Sequence, residues 1–538
     1  MVMWARLHRA APVLAAASVA VLAFAAARLA LLPGVAFWDT GELQTVGPLL
    51  GTAHPTGFPT YVLLGWLASI VLQPVGEPAF RMNLLSAICL AMAAGLTVDL
   101  VRALTRSTIS GVVAGLGMAL TPIAWSIGTH ADAHALHLAL LALLLRLLVA
   151  WEARTADIEG GRADSPGSGA GADRYLVAAV VVFGLALGNH VLVLLLVPSV
   201  WLYVRAVAPA FWRRRRFVLG CAAALGVTLA VVYLELPLRA GIFRAPLVYG
   251  RPETWGGFWY VALGQQFQGS LVDPFGDLTG KVGQLVGLAA AQFGPLAPLI
   301  PVGFVATAVR RPRYALLTGS AALITCFVAA SYENAEIERY YLGPILMAWT
   351  WLGILAAFAV DTLTDTLQGR SIAQADRDRR LVPREGLDGA SPARAALAAA
   401  VGLALLAPTL SASPTSFAAI DESHDRSAVN WVDHALAVME PDALIVSWWS
   451  YSTPLWYAQR VEGRRPDLTI DDDRTRLDEG LGDITDVIDA NLGRRPVYVI
   501  RVDPAEVALL AGRYLLQPID GVDANDLTRV LARRESGS

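Results

Sequence analysis

Two carboxylates, Asp39 and Glu42, lie three residues apart in 37-FWDTGELQTVGP-48, directly after a long apolar segment. A histidine follows in 54-HPTGFP-59, a stretch broken by two prolines and a glycine. A carboxylate beside hydrocarbon is costly unless solvated or paired, so it raises a functional expectation by default. Such a group can accept a proton from an attacking hydroxyl as a general base, or it can orient an acceptor. The same spacing also suits acids in the first turn of a helix, where they cap amides or face the helix dipole. The residues alone leave both uses open. Pro55 biases His54 toward an extended backbone, and Gly57 and Pro59 make a turn before the apolar run 61-YVLLGWLASIVL-72. His54 either joins the acidic pair in one pocket or serves as a structural imidazole.

Other groups invite the same question. His130, Asp132, His134 and His137 form a polar cluster in which His130 and His134 share a helix face, but the glutamate of the H-E-x-x-H pattern is missing. Lining of a cavity is therefore preferred to metal binding. Tyr249, Trp255, Trp259, Tyr260 and Phe267 accompany Gln265 and Gln266 in one long loop. Aromatic faces with amide donors suit a sugar or a prenyl chain, and they equally suit an aromatic belt at a membrane interface. Trp448, Trp449, Tyr451, Trp456 and Tyr457 fit either glycan binding or packing. The acidic run 471-DDDRTRLDE-479 lacks the glycine and glutamate of an EF-hand and reads as a solvated turn.

The elements that must hold these residues are membrane helices. The 538 residues are 55% hydrophobic and 16% charged, against about 25% charged in soluble domains, and mean hydropathy is +0.51. The net charge of −3 gives no reason to expect nucleic acid. Cys89, Cys221 and Cys326 lie in apolar runs and suggest packing without disulfides. Apolar runs at 10–32, 81–104, 109–127, 134–151, 175–189, 191–208, 217–235, 283–308, 314–331, 341–360 and 395–411 imply about eleven spans. The first of these, about 20 residues long, exceeds a signal-peptide core and is read as an uncleaved helix. Arginines cluster in alternate connections (102–106, 154–174, 213–216, 310–313 and 370–384), which the positive-inside rule places in the cytoplasm. Two of these connections, 157–173 and 369–394, read as linkers. The same parity puts an opening loop (33–80) and a long loop (236–282) on the outer side. A tail from 412 onward, with strands near 443–449, 468–470 and 496–502 and helices at 427–439 and 483–492, reads as a small extracytoplasmic α/β domain. The expected division is 1–411 for the membrane part and 412–538 for the tail.

The strings Asp39-Thr40-Gly41-Glu42, His54-Pro55-Thr56-Gly57-Phe58-Pro59 and Arg81-Met82-Asn83-Leu84-Leu85-Ser86 together resemble the N-terminal signature of a multispan family. This is the domain-of-unknown-function 2723 family, which includes transmembrane protein 260-type O-mannosyltransferases and belongs to the GT-C glycosyltransferases. Its pattern is close to D-x-G-E, H-P-P-G-[YF]-P and R-x-N-L-x-S. Thr56 replaces the usual second proline, which loosens the turn and leaves the ionisable groups in place. The strings 188-GNHVLVLLLVP-198, 236-LPLRA-240, 249-YGRPETWGGFWYVALGQQF-267 and 338-ERYYLGP-344 extend the likeness over most of the membrane portion, and 448–470 resembles the tail of bacterial members.

The resemblance implies an inverting transferase that takes sugar from a polyprenyl-phosphate carrier at the extracytoplasmic face of the cell inner membrane. Asp39 and Glu42 are then the catalytic candidates, Asp39 first, with His54 in the same pocket. The departing group is a lipid phosphate, which needs no acid catalyst but does need a cation, and arginine binds phosphate through two oxygens. Arg239 and Arg339 are the candidates on the arginine-poor side, and Gln266 and Tyr340 complete the substrate-binding set. No cofactor or metal is expected. The partners implied are the lipid-linked donor, the bilayer and a protein Ser/Thr or glycan acceptor, with mannose as the sugar in one branch of the family. The alternatives are transfer to lipid or cell-wall glycan, and, in another class, a transporter or flippase, which would place ionisable groups near the midplane with repeated broken helices.

Overall fold

The computed structural model describes residues 2–159, 168–334, 336–369, 392–519 and 527–534. Most of the two segments read as linkers lies outside the described residues. Among the described residues, eight helices are long and apolar enough to cross a membrane, and nine if the pair Leu278–Leu296 and Leu299–Arg310, bent by 81°, counts as one span. The chain is a multi-pass membrane protein. Two runs expected to be full spans are shorter helices. The 109–127 run becomes Thr108–Ala119 and breaks ahead of Pro122, while 191–208 opens as the tight turn Val191–Leu196 before helix Val197–Val207, with Pro198 in its first turn. Proline has no N–H to continue a helical ladder, so it marks these breaks.

Helix α1 (Val2–Leu29), α2 (Trp38–Leu49), α3 (Pro59–Val71) and α4 (Pro78–Thr105) open the chain. Proline at the first position of α3 and of α4 suits helix initiation, where the missing N–H costs nothing. In α4 and in helices Ala133–Ile158 and Ile337–Leu367, 72–78% of the apolar window is buried by other protein; in Arg215–Ile242 the share is 11%. The first three therefore form the centre of the bundle, and the last faces its surroundings. The arginines of the 310–313 connection meet the ends of three other helices at one end of the bundle. Arg311 donates to the Leu104 carbonyl (2.8 Å), Arg310 to Asp361 (3.1 Å) and Arg313 to Glu152 (3.4 Å).

At the other end the segment 33–80, expected as a broken loop, is largely helical. Gly41 and Pro48 limit α2 to 12 residues without preventing it. Gly41 has a further reason to be glycine. A Cβ there would lie 2.1 Å from the Ala36 carbonyl oxygen and 2.7 Å from Thr453 Oγ1 of the C-terminal domain.

Three elements at this end are tied by one buried amide pair. Gln44 Nε2 donates to Asn83 Oδ1 (2.8 Å) and to the Gly34 carbonyl (3.0 Å), while Gln44 Oε1 accepts from the Ala36 N–H (2.8 Å). Asn83 Nδ2 donates to the Leu32 carbonyl (2.9 Å), and its Oδ1 also accepts from the Ala131 N–H (2.9 Å). Ser86 Oγ, one helical turn from Asn83, accepts from the Asp132 N–H (3.0 Å). Arg81 donates to the Ser69 (3.0 Å) and Gly76 (2.7 Å) carbonyls, closing the turn between α3 and α4. The 81-RMNLLS-86 string is thus a set of clamps on irregular backbone.

After the last apolar helix, Pro392–Ile420, a five-stranded sheet forms from β1 (Leu444–Ser447), β2 (Thr469–Asp472), β3 (Val497–Val499), β4 (Tyr514–Pro518) and β5 (Thr528–Arg533). The order is β2-β1-β3-β5-β4, with β1 parallel to β2 and β3, and β5 antiparallel to β3 and β4. Alternate residues of β1 feed two cores. Ile445 packs with Val432, Leu436 and Leu455, and Leu444 and Val446 pack with Val487 and Ile488. The domain docks on the bundle through aromatic edges, Trp38 against Trp448 (5.0 Å) and Phe37 against Tyr451 (5.2 Å), and through the Ala79 N–H donating to Tyr457 Oη (3.0 Å).

Replacing Asn83 with leucine puts a larger apolar side chain there and removes every bond that Asn83 makes, leaving those of Gln44 to Gly34 and Ala36. The Ala131 N–H and the Leu32 carbonyl then lose their partners, at about 1–3 kcal/mol for each orphaned group. The Asn83→Leu protein is expected to lose at least ~2 kcal/mol of stability, read as a lower unfolding midpoint in detergent. An unchanged midpoint would show that the hub is dispensable.

Candidate functional site

Helix α2 begins with its first turn against the C-terminal domain and sends its two acids to different places. Asp39 opens onto a cavity of about 780 Å³, and its side chain is 34% exposed. Glu42, one turn later, is buried at 2% beneath His54. Glu42 Oε1 accepts from the His54 N–H (3.0 Å), and Oε2 makes a short bond with Nδ1 of the ring. The 54–59 turn that presents this ring closes by the Gly57 N–H donating to the His54 carbonyl (2.7 Å), with Gly57 at φ +75°. Burial alone would lower the His54 pKa, but the Glu42 carboxylate, with Asp39 behind it, outweighs that and raises it above the ordinary 6.5.

Arg339 stands across the cavity from this turn, bounded by Asp39 Oδ2 (3.7 Å), Asp132 Oδ2 (3.4 Å) and Glu336. Asp132 is in turn fixed by Ser86 and by His134, whose N–H (2.7 Å) and ring Nδ1 (2.9 Å) both reach Asp132 Oδ1. Burial pushes the Asp132 carboxyl up, yet Arg339, His134 and His130 together hold it well below the usual carboxylate range. His130 itself pairs with Glu422 (3.0 Å), just past the end of the last apolar helix.

Imidazoles and aromatics floor the cavity. The His190 ring lies 4.9 Å from that of His134 and 5.6 Å from that of Tyr340. His190 Nδ1 accepts from the Leu192 N–H (3.1 Å), so the ring proton of the neutral tautomer is on Nε2. Gln266 also lines the cavity and is engaged by the Tyr249 hydroxyl. Val191, Leu195, Leu263, Leu271 and Val328 make an apolar wall. Among the described residues no group of three or more His, Cys, Asp or Glu is placed to hold a metal ion.

Five of the seven candidate site residues, Asp39, His54, Gln266, Arg339 and Tyr340, therefore meet around one cavity, although they come from distant parts of the chain. Glu42 does not line it and acts on His54 from behind. Arg239 is a correction. Its guanidinium donates to the Leu50 (2.8 Å) and Leu49 (2.9 Å) carbonyls, so it caps the C-terminus of α2, where a cation meets the negative helix end. It is absent from the cavity lining. Trp255 and Trp259 point away from the cavity as well, 80% and 38% exposed.

The acidic run 471–479 is a second correction. Asp471 and Asp472 are buried at 4% and 1%, and Asp473–Asp478 is a short helix. This helix places Arg474 at the cavity, a residue that no local pattern had singled out. Its guanidinium lies over the Tyr249 ring (4.1 Å) and the Trp449 ring (4.5 Å). His190 was equally unassigned, although 188-GNH marked the spot. Asn189 Nδ2 donates to the Ala133 carbonyl (2.9 Å) and so fixes the neighbouring histidine.

Residues 39–210 match a family model described as the protein O-mannosyl-transferase TMEM260 N-terminal domain. The chain is 32% identical over 255 residues to the protein O-mannosyl-transferase TMEM260 of Mus musculus, a match covering 45% of this chain and 33% of that protein. For the Dictyostelium discoideum protein O-mannosyl-transferase tmem260 the identity is 24% over 228 residues, with coverages of 42% and 27%. The match thus spans about a third or less of these curated relatives. Among solved structures, ArnT from Cupriavidus metallidurans bound to undecaprenyl phosphate superposes with a TM-score of 0.58 at 14% identity, over 97% of this chain and 98% of that one. The Archaeoglobus fulgidus oligosaccharyltransferase AglB, in complex with an inhibitory peptide and a dolichol-phosphate, gives 0.51 at 15% identity, over 90% and 69%. The likeness to the TMEM260 family is shown over the N-terminal region, and the likeness in fold to ArnT over nearly the whole chain.

The Glu42–His54 pair has a pH signature. Because folding raises the imidazole pKa, the pair contributes its full stabilisation below the ordinary 6.5 and loses it as pH climbs through the raised folded-state value. The thermal midpoint of the wild-type protein is expected to exceed that of Glu42→Gln most below pH 6.5, with the gap narrowing at higher pH. A gap that widened with pH would refute the pairing.

Proposed function

We propose that this chain is an integral-membrane glycosyltransferase that moves a sugar from a polyprenyl-phosphate carrier to an acceptor hydroxyl, with protein Ser/Thr as acceptor and mannose as the sugar. The observation that carries the reading is Asp39, a carboxylate opening on a cavity with polar groups on one side and an apolar wall on the other. A lipid-linked donor needs this pairing, because its sugar and phosphate must be solvated by protein or water while its tail stays in hydrocarbon. The TMEM260-type N-terminal domain supports the transferase class and the protein acceptor. The apolar wall includes Val191 and Leu195, and their neighbours Leu194 and Val197 are 46% and 45% exposed. That flank of the bundle suits entry of the prenyl tail.

In this mechanism Asp39 takes the proton of the acceptor hydroxyl as its oxygen attacks the anomeric carbon of the sugar. The bond from that carbon to the phosphate oxygen breaks on the opposite face, so the configuration inverts, and polyprenyl phosphate departs with the bonding electrons. Arg339 and Asp132 act on Asp39 by position. The Asp132 anion anchors the Arg339 guanidinium, which keeps the catalytic carboxylate directed into the cavity. The Glu42–His54 pair holds the neighbouring wall. A monophosphate leaving group carries less charge than a nucleotide pyrophosphate, and the reaction as proposed uses no divalent metal. The arginines at 310–313 gather with the helix ends near Leu104, Glu152 and Asp361 at the bundle end opposite the cavity. By the positive-inside rule that end is cytoplasmic, which puts the reaction on the extracytoplasmic face of the inner membrane.

Purified protein supplied with polyprenyl-phosphate mannose and a Ser/Thr peptide is expected to release polyprenyl phosphate and yield glycosylated peptide, by mass spectrometry, with chelator present or absent. Asp39→Asn is expected to lower turnover by about 10²–10⁴-fold, the usual worth of a general base, while its unfolding midpoint stays near that of the wild type. Turnover close to wild type in this variant would remove Asp39 from the mechanism, and strict dependence on an added cation would remove the metal-free step.

A further inference from the structure

The proposed reaction leaves a lipid phosphate whose negative charge must be met, and two guanidinium groups face the cavity to meet it. Their surroundings differ. Arg339 touches three carboxylates, Asp39, Asp132 and Glu336, so its one positive charge is shared among three acids, of which Asp132 also pairs with His134 and lies 4.0 Å from His130. A phosphate placed there would be repelled by Asp39 and Glu336. Arg474 has one carboxylate within ion-pair range, Glu42 Oε1 at 3.7 Å, and Glu42 is already bonded to the N–H and the ring of His54. The next acid, Asp472, is occupied by the N–H (2.8 Å) and hydroxyl (2.7 Å) of Thr475. Taken by themselves, Arg474, His54 and Glu42 are neutral with a neutral imidazole and positive with a charged one, and the Glu42 partnership favours the charged form of His54. Of the two corners it is the one that attracts an anion.

The geometry of Arg474 is that of a held donor. The rings of Tyr249 and Trp449 lie at 4.1 and 4.5 Å from the guanidinium carbon. Aromatic contacts occupy the faces of the planar group, and hydrogen bonds leave from its edge. Its Nη1, the nitrogen that lies 3.7 Å from Glu42 Oε1, is buried and makes no hydrogen bond within the protein, so the ion pair leaves its donor capacity unused. Tyr249 is itself tied to Gln266 on the cavity wall. All three components of this clamp were provided separately, Tyr249 by the long loop of the membrane part and Trp449 and Arg474 by the C-terminal domain.

We propose that Arg474 is the phosphate-binding residue of the donor site, taking the non-bridging oxygens of polyprenyl phosphate on the edge left free by Tyr249 and Trp449. The inference rests on the glycosyltransferase reading and deepens it. The C-terminal domain becomes part of the donor site, and the bundle alone holds an incomplete one.

The test uses the full-length protein in detergent, titrated with undecaprenyl phosphate and, separately, with inorganic phosphate as competitor. Arg474→Gln is expected to weaken undecaprenyl phosphate binding by about 10- to 100-fold, the worth of a hydrogen bond to a charged group, with an unchanged unfolding midpoint for the ligand-free protein. Arg474→Lys is expected to fall between the two, since it restores charge without the planar fork. Arg460→Gln, an exposed arginine of the same domain away from this cavity, is expected to bind as wild type does. Inorganic phosphate should compete in the wild type and lose that ability in Arg474→Gln. Equal affinity of wild type and Arg474→Gln for the lipid, or undiminished competition by phosphate in the variant, would overturn the assignment. A wild-type protein that does not bind undecaprenyl phosphate at all would count against the polyprenyl donor itself, which is a separate failure.

Discussion

The end of the bundle that bears the cavity is built on a buried pair of amides. Gln44 and Asn83 are both fully buried, and between them they bond the backbone at Leu32, Gly34, Ala36 and Ala131. These backbone groups belong to irregular segments inside an apolar structure, where an unpaired N–H or carbonyl is expensive. Regular helices satisfy such groups themselves, but a cavity at a helix end cannot be lined by regular helix alone. The amide pair resolves that conflict. It lets the chain leave α1, turn into α2 and bring the 131–132 segment alongside, so that Asp39 and Asp132 approach the same arginine. With this pair satisfied, the distances around Arg339 follow.

Charge is arranged in the cavity by the same economy. Ionised groups out of water must be paired, and each one here has a partner that also restricts where it points. Asp132 holds Arg339 and His134; Glu42 holds His54 and lies near Arg474. The result is two corners of different sign within one chamber, an acidic one containing Asp39 and a neutral-to-positive one containing Arg474. A transfer reaction that takes a proton from one reactant and releases an anion from the other needs both signs, held apart. The C-terminal domain contributes to the second corner and packs its tryptophans on α2 beside the first. In the proposed reaction its docking and the chemistry are coupled.

Much of this could be read without coordinates, for identifiable reasons. A lipid-facing helix must be apolar over its whole length, so the long spans announce themselves in composition. Basic connections follow a compartment rule, so the sequence carries an expectation for the orientation as well. The strings 39–42, 54–59 and 81–86 are short and local, and each proved to be one structural device: an acid-bearing helix start, a glycine-proline turn and a row of backbone clamps. Legibility failed where the signal was not local. The 109–127 and 191–208 runs are apolar enough to span, but their prolines and a tight turn shorten them. Strands β4 and β5 went unread because their exposed residues blur the alternation; β4 has a single buried position. Arg239 resembled a phosphate ligand in type and side of the membrane, yet the end of α2 required a cation and took it.

The sequence by itself determined that this is a multispan membrane protein with acids and a histidine at one mouth of the bundle and a small α/β domain beyond it. These properties follow from hydrophobicity, helix breakers and charge, which act over a few residues at a time. Tertiary structure alone decided which groups surround each arginine of the cavity. Arg339 and Arg474 are the same residue type, and both have acids close by in the chain, Glu336 and Glu338 for one and Asp472 and Asp473 for the other, so the local sequence does not separate their roles. The difference arises because Asp39, Asp132 and Glu336 converge on one guanidinium while two aromatic rings and a shared glutamate surround the other. Electrostatic energy depends on distance in space, and residues 39, 132 and 339 become neighbours only through the fold.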